Sequence, residues 1–245
     1  MVCDCDDGAA FAVAKYAKYN NDATIDGSAS VNINGGRIRV AKNVFMTDGT
    51  FLAGEYVEVG NGSSVFRVYG NSIRILDAEV RDGQFPIDTP LETPFCIAPS
   101  FTCGSQNVLV GTGETSGPLA PGIYGRLSIL NGGTLTLAPG DFTFCDIKMG
   151  RDARLEAQGM VVMQITNNLR VGTGSFFGPT PAMGYPPIGA YVLGHLVRTS
   201  QGATVVAAIV APNAKMTFGR DADFNGCFCA SQAKSDKHIS LTCVE

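Results

Sequence analysis

The sequence predicts an all-β protein, more narrowly a right-handed parallel β-helix (β-solenoid) in a single domain spanning residues 1–245. Apolar residues recur at every second position in short runs, and Gly, Asn-Gly or Asp-Gly pairs separate these runs. Turn glycines also recur at intervals of 18, 22, 22 and 25 residues, a spacing typical of one solenoid coil. These glycines are Gly132, Gly150, Gly172, Gly194 and Gly219.

Residues 6–20 (DDGAAFAVAKYAKYN) are the one segment with helical spacing, with Asp6 or Asp7 as N-cap. Its apolar face would comprise Ala9, Ala12, Val13 and Tyr16. The terminal coil of a solenoid exposes unpaired strand edges, so we expect a capping helix at the N-terminal end. A partner-binding helix is the alternative.

Regular alternation runs through residues 23–80 and returns over residues 122–245. In a coil, the residues at every second position point inward, so these positions define one elongated core. The expected core residues are Leu127, Ile129, Leu135, Leu137, Phe142, Phe144, Met163, Ile165, Val206, Ile209 and Phe218. A second Pro-rich segment, residues 175–188, is expected to leave the coil as a loop.

Residues 84–120 break this alternation, because six prolines fall between positions 86 and 121. Proline cannot donate to a β-ladder, and Cys96 and Cys103 are close enough in sequence to close a small loop. We therefore expect a Pro-rich excursion tied by a Cys96–Cys103 disulfide. A boundary between two domains is the alternative.

The eight cysteines are an even number, and several are clustered, which favours disulfides and an extracellular or cell-surface location. The candidates are Cys3, Cys5, Cys96, Cys103, Cys145, Cys227, Cys229 and Cys243. The Cys-x-Cys spacings are poor for zinc, which prefers two or more intervening residues. The acidic N-terminus lacks the regions of a signal peptide, so we expect the mature form. A cytosolic protein with free thiols is the alternative.

Composition gives no electrostatic case for nucleic acid, since the net charge is −4 and a basic patch or stripe would be needed. No apolar run is long enough to span a membrane. The same mild charge gives no reason to expect attraction to an anionic membrane.

Catalytic or metal-binding residues are sparse. Asp221 and Asp223 are two positions apart and would share one strand face, where they could act as acid and base or bind Ca²⁺. The Gly-Arg-Asp-Ala sequence at 219–222 also occurs at 150–153, which indicates one corner built twice. His195 and His238 lie in no recognisable nucleophile motif, so structural roles are expected. We expect no cofactor, with Ca²⁺ as the alternative.

The segments GGTLTLAPGDFTF (132–144) and AAIVAPNAKMTFGRDADFNGCFCA (207–230) resemble a family of bacterial β-solenoid domains. The resemblance is detailed over residues 118–230. Members of that family occur on exported, cell-surface and pilus-assembly-associated proteins and have no established activity. The resemblance therefore implies a solenoid fold and an exported protein, but no active site. Cys145, Cys227 and Cys229 replace residues that are small or apolar in the family.

These observations together predict a non-catalytic structural or adhesive module. Its partners would be further copies of itself, surface or matrix components, or glycans. Residues 84–120 and 175–188 would offer binding surface. Either Cys243 would tie the C-terminal SLTCVE segment across the last coil as a cap, or that end would be open for stacking on another copy, which we expect. The alternatives are a polysaccharide-acting enzyme and a carbohydrate or Ca²⁺ binding module, both using Asp221 and Asp223.

Overall fold

A computed structural model describes residues 11–27, 29–31, 36–86, 98–180 and 188–243. This part of the chain contains 27 strands and no helix, and so no helix that could span a bilayer. The strands, β1 to β27 in order, are Phe11–Tyr19, Thr24–Asp26, Ala29–Val31, Arg37–Val40, Phe45–Met46, Phe51–Ala53, Tyr56–Val59, Ser64–Tyr69, Ser72–Ile75, Glu79–Phe85, Val108–Val110, Thr115–Leu119, Gly122–Ile123, Leu127–Ile129, Thr134–Leu137, Gly140–Phe144, Ile147–Met149, Arg154–Ala157, Val161–Ile165, Asn168–Val171, Phe176–Pro179, Ile188–Val192, Leu196–Thr199, Thr204–Phe218, Asp223–Asn225, Phe228–Ser235 and Ser240–Thr242.

Each coil contributes one strand segment to each of three faces, and every strand pair is parallel. The coil β14–β15–β16 stacks directly on β17–β18–β19, so that Leu127 lies opposite Ile147 and Leu135 opposite Leu155. We call the faces sheet 1 (containing β14 and β17), sheet 2 (β15 and β18) and sheet 3 (β16 and β19). The predicted parallel β-solenoid is therefore confirmed, with about 10 coils. Its right-handed winding stays a prediction.

The corner between sheets 1 and 2 has the same backbone in every coil. One residue per corner has a positive φ, and its N–H donates to a carbonyl of the next corner, as from Asp152 to Thr173. The positive-φ residues in stacking order are Gly113, Gly132, Asp152, Gly174, Gly202, Asp221, His238, Asp22, Asn43, Gly62 and Asp77. Glycine, Asp and Asn tolerate this left-handed conformation best. The prediction that the two Gly-Arg-Asp-Ala sequences form the same corner is therefore confirmed, with Asp152 and Asp221 at equivalent positions.

The core is a continuous column of inward side chains, as the strand period predicts. All eleven core residues expected from the sequence are buried, from Leu127 at 0% exposure to Val206 at 8%. Aromatic rings contact one another at two places in this column, as a stacked pair on β16 and as a tilted pair between β24 and β26. Phe142 and Phe144 lie 6.1 Å apart between ring centroids, and Phe218 and Phe228 lie 5.4 Å apart.

The capping helix expected over residues 6–20 is wrong where the structure describes that segment, because Phe11–Tyr19 is a strand. Val13 and Ala17 are both buried, whereas Ala14 and Lys15 between them are exposed. The strand register shifts there as the chain turns from sheet 3 to sheet 1. This two-residue corner produces an i, i+4 apolar spacing, which in sequence is indistinguishable from one turn of helix.

The first and last described strands of the chain meet inside the rod rather than at its ends. Strand β1 pairs with β26 on one side and with β3 and β4 on the other, and β2 pairs with β27 and β5. We call this junction the seam. The C-terminal segment is therefore not an open end, and that expectation is wrong. The terminal coils contain β9 and β10 at one end of the rod and β11–β13 at the other.

The excursion expected over 84–120 is narrower than predicted, because β11 and β12 already belong to a coil. Similarly, Phe176–Pro179, within the expected loop 175–188, is a strand of sheet 2. Residues 87–97 and 181–187 lie outside the described part of the chain. Because β10 and β11 are at opposite ends of the rod, the chain between them links the two ends.

The expected Cys96–Cys103 disulfide is wrong, since Cys103 is bonded to Cys145, with 5.0 Å between their Cα atoms. Sequence proximity favoured the local partner, but residues 103–104 lie against the coil that carries Cys145, where the Gly104 N–H donates to the Tyr124 carbonyl. The three remaining described cysteines, Cys227, Cys229 and Cys243, are also in disulfides. Cys3, Cys5 and Cys96 lie outside the described residues.

Candidate functional site

Asp221 and Asp223 do not share a strand face. Asp221 is the positive-φ corner residue, with φ of 56°, and the strand of sheet 2 begins only at Asp223. Their carboxylates are engaged separately. Asp221 accepts a hydrogen bond from Gln201 at 3.3 Å, and Asp223 accepts one from Asn225 at 3.3 Å. The shared strand face expected from their spacing is therefore wrong, whereas the acid–base or Ca²⁺ role stays a prediction.

The histidines and other candidate metal ligands are also dispersed. His238 occupies a left-handed corner, with its Nδ1 atom 3.9 Å from a carboxylate oxygen of Asp22. His195 is exposed, and its carbonyl accepts a hydrogen bond from the Lys215 N–H. Over the described ranges, no three His, Cys, Asp or Glu side chains are grouped to hold a metal ion.

The strongest local feature is the outward surface of sheet 1, where cations from successive coils align. The column formed by consecutive register partners runs Leu109, Ser128, Lys148, Arg170, Arg198, Thr217, Lys234, Lys18, Arg39, Glu58 and Arg74. These residues alternate with buried or partly buried neighbours, as Lys148 does between Ile147 and Met149. The strand period thus directs these side chains into solvent.

A second column lies two residues earlier on the same strands. It runs Asn168, Leu196, Lys215, Gln232, Tyr16, Arg37, Tyr56 and Ser72. The Arg37 guanidinium lies 5.6 Å from the ring centroid of Tyr56, a cation–π distance. We call the two columns together the basic face.

The basic face carries a large share of the positive charge of the chain. Its cations are Lys18, Arg37, Arg39, Arg74, Lys148, Arg170, Arg198, Lys215 and Lys234, which are nine of the 18 Lys and Arg residues. Glu58 is the acid within these columns, so the face has a charge of 9 − 1 = +8. Because the whole chain has −4, the remainder has −4 − 8 = −12.

The positive charge is least compensated in the middle of the face. The Glu58 carboxylate pairs with the Arg39 guanidinium at 2.9 Å and lies 3.9 Å from that of Arg74. Glu58 thus offsets part of the positive charge at the Arg74 end of the face. Asp146 lies 3.9 Å from Arg126 near the other end. Among the described residues, the cations of the stretch from Lys148 to Lys18 form no ion pair: Lys148, Arg170, Arg198, Lys215, Lys234 and Lys18.

A pocket of about 740 Å³ lies within this uncompensated stretch. Arg198, Lys215, Thr217 and Lys234 line it, and Asp236 contributes one acid. The Thr217 hydroxyl oxygen is buried and has no hydrogen-bond partner within the described chain. A buried polar atom without a partner is unusual, and one flanked by two cations is suited to a bound anion.

The other two faces differ in chemistry. The outward column of sheet 2 is rich in hydroxyls and includes Thr134, Thr204, Asp223, Ser240, Thr24, Ser64 and Glu79. Sheet 3 presents mainly uncharged residues, such as Val162, Gly189 and Ala208 in one register line. Half of the Lys and Arg residues of the chain therefore lie on the basic face, while others, such as Arg154 on sheet 2, lie elsewhere.

No family model, curated protein or solved structure matches the chain. The fold and the site therefore define a class by their geometry alone: a disulfide-containing parallel β-solenoid with a basic lateral face.

Proposed function

We propose that this protein is a non-catalytic adhesive module of the cell exterior that binds its target through the basic face. The observation that carries the proposal is the alignment of nine cations from successive coils on one face, with Glu58 as the acid among them. A regular array of like charges costs stability unless a counter-charged partner occupies it, because like charges on adjacent strands repel. An array of this kind is suited to a repetitive, negatively charged surface.

The rod supports adhesion because its surface is preorganised. Parallel coils share one core, so the positions of Arg170 and Arg198 are fixed by the buried neighbours Leu169 and Val197. A rigid array loses little conformational entropy on binding, apart from the side chains themselves. Disulfides at Cys103–Cys145 and at the three cysteines nearer the C-terminus support an oxidising, extracellular location. The resemblance of residues 118–230 to exported bacterial solenoids is consistent with this location.

A second candidate, homotypic assembly, is favoured by apolar side chains at one end of the rod. Leu109 and Ile123 belong to the terminal coil of β11–β13 and are 66% and 65% exposed. Apolar groups beside an unpaired strand edge favour contact with another copy. Assembly through this end leaves the basic face accessible, so both functions are compatible.

The proposal is tested by measuring binding of the oxidised protein to immobilised anionic, neutral and cationic polymers, together with release of sugar ends from polysaccharides with and without Ca²⁺. We expect retention on anionic polymers and no depolymerisation. Release of new sugar ends at a steady rate would overturn the non-catalytic assignment. Absence of binding to every polymer would overturn the adhesive one.

A further inference from the structure

We infer that the partner of the basic face is a linear anionic polysaccharide of the uronate type, lying along the rod axis with its carboxylates on the column from Lys148 to Arg74. This inference rests on the proposed function, since it names the ligand of the same face. Three observations carry it: the spacing of the cations, their restriction to one narrow face, and the pocket at Thr217.

The spacing of the cations matches an extended sugar chain. Neighbouring strands lie about 4.8 Å apart, so the side chains of one column repeat at that distance along the rod. One sugar unit of an extended polysaccharide advances by a similar length, and a polyuronate carries one carboxylate per unit. A chain parallel to the axis therefore keeps its sugar units in register with the coils without bending, and those carboxylates that point towards the face meet cations at every coil of the column except those of Thr217 and Glu58. The column from Lys148 to Arg74 covers nine coils, hence eight intervals or about 38 Å.

The width of the face argues for a single thin chain. Outside the basic face the protein has a charge of −12, and sheet 2 and the corners carry carboxylates such as Asp152, Asp223 and Glu79. A wide polyanion would bring its charges close to these acids, whereas a single chain remains over the cations. Electrostatic attraction is thus focused along one line.

Duplex nucleic acid fits this geometry less well. Each strand of B-form DNA carries one phosphate per about 3.4 Å of axis, and the strand winds away from a flat surface within a few phosphates. The phosphates of the duplex therefore soon fall out of register with the side chains of the rod, which repeat about every 4.8 Å. The face also lacks the inserted helix or the groove with which proteins read a duplex.

The pocket gives the bound chain a preferred position. Arg198 and Lys234 are the register neighbours of Thr217 on either side, and Lys215 lies two residues earlier on the same strand. A carboxylate held between these cations would provide an acceptor for the unpaired Thr217 hydroxyl once the side chains that cover this oxygen move aside. Charge-assisted hydrogen bonds of this kind are stronger than neutral ones.

Aromatic rings continue the same surface towards the other end. Tyr16, Arg37 and Tyr56 are consecutive register partners in the second column, and both tyrosines are half-buried. An aromatic face beside a cation can pack against the apolar face of a sugar ring while the cation binds its carboxylate. A phosphate backbone has no equivalent apolar face, although unstacked bases do.

The test is titration of the full chain, with its disulfides intact, with oligogalacturonates of increasing length at about 50 mM and 200 mM salt, a range over which binding driven by charge weakens strongly. Neutral dextran and a DNA duplex of matched charge are the comparison ligands. We expect affinity to rise with length up to about eight or nine sugar units, the span of the column, and then to level off.

The diagnostic variant is the triple substitution Arg198→Gln, Lys215→Gln and Lys234→Gln. It removes three exposed cations around the pocket. The matched control is Lys42→Gln, Arg151→Gln and Lys237→Gln, which removes the same charge from corner positions. Both should retain the thermal unfolding midpoint of the parent, because all six side chains are exposed. We expect oligogalacturonate affinity to fall by about 10- to 100-fold in the first variant and about twofold in the control.

Tighter binding of duplex DNA than of oligogalacturonate would overturn this inference while leaving adhesion through the basic face standing. Equal losses in the two variants, or binding to dextran alone, would contradict both this inference and adhesion through the basic face. Loss of all polymer binding would overturn the adhesive function altogether. A single-residue substitution, Thr217→Val, adds a finer readout, because it removes the hydroxyl at nearly constant shape. We expect it to weaken oligogalacturonate binding by about threefold to tenfold; no change would remove the pocket from the inferred site.

Discussion

Lys18 and Lys234 occupy adjacent positions of the basic column, although 216 residues separate them in the chain. Their strands, β1 and β26, are the first and one of the last in the described chain, and they meet at the seam. The cation column is therefore continuous only because the N-terminal coils stack on the C-terminal coils. The integrity of the proposed binding surface depends on this junction.

The seam is held by apolar packing that can be tested directly. Phe11 and Phe228 are fully buried, with ring centroids 5.2 Å apart across the junction. We expect Phe228→Ala to lower the free energy of unfolding by about 3–5 kcal/mol, the usual cost of removing a core phenylalanine. The exposed Met160 serves as control, and Met160→Ala should change stability by less than about 0.5 kcal/mol. Denaturant unfolding measures both, and a similar small change in each would contradict a packed seam.

Tyr19 has a hydroxyl in the core without a hydrogen-bond partner among the described residues. We expect Tyr19→Phe to raise the free energy of unfolding by about 1–2 kcal/mol, because an unpaired buried hydroxyl is costly. Val40→Ala, a neighbouring truncation without a polar atom, should lower stability instead. A loss of stability in Tyr19→Phe would show that the hydroxyl has a partner in solution.

The same residue predicts a pH dependence. Burial raises the pKa of the Tyr19 phenol above its ordinary value, because the interior disfavours the phenolate. Above about pH 10, the unfolded chain loses this proton while the folded protein keeps it, so stability falls as pH rises. Tyr19→Phe should therefore show a shallower alkaline loss of stability than the parent. Identical slopes between about pH 9 and 11.5 would contradict burial of an un-ionised phenol.

Close stacking of the coils explains why particular glycines cannot be replaced. A Cβ atom at Gly172 would lie 1.9 Å from the carbonyl oxygen of Gly150 in the coil below. Gly189 has no atom within 4 Å of that position. We expect Gly172→Ala to lower the thermal midpoint strongly, through a cost of about 2–4 kcal/mol. Gly189→Ala should be neutral or slightly stabilising. Equal effects in a thermal scan would contradict the stacking geometry.

The Cys103–Cys145 disulfide ties the segment before β11 to the body of the rod over a separation of 42 residues. We expect the double variant Cys103→Ser and Cys145→Ser to lose about 2–4 kcal/mol of stability through the larger entropy of the unfolded chain. Non-reducing peptide mapping of the parent provides the direct check. Recovery of a Cys96–Cys103 peptide would contradict the pairing.

The alternation of apolar residues allowed the architecture to be predicted, because the core positions of Leu127, Leu135 and Phe142 follow the strand period without exception. The corners were only partly predictable. Their defining residue has a left-handed backbone that Asp, Asn and His can adopt as well as Gly, so counting glycines misplaced several corners. The helix predicted around Val13 was wrong for a related reason, since a two-residue corner between strands gives the same apolar spacing as a helix.

The basic face could not be predicted, because charge alignment depends on register and not on composition. Lys148, Arg170 and Arg198 are 22 and 28 residues apart, and Lys18 joins them only through the seam. The net charge of the chain, −4, therefore gave no indication that the basic face has a charge of +8. The coils can be aligned on their left-handed corner residues. In that alignment, most cations of the first column lie three or four positions before the corner residue. That alignment is the signal that would have revealed the face.

The position of the seam also determines how the rod responds to mechanical load. A force that separates Phe11 from Cys243 acts across β1–β26 and β2–β27, at an interior level of the stack, and not on either terminal coil. Parallel strands loaded along their length must break several hydrogen bonds together, which resists force better than peeling bonds one at a time. A tether attached to either of these two positions would hold the rod by its middle and leave both tips free.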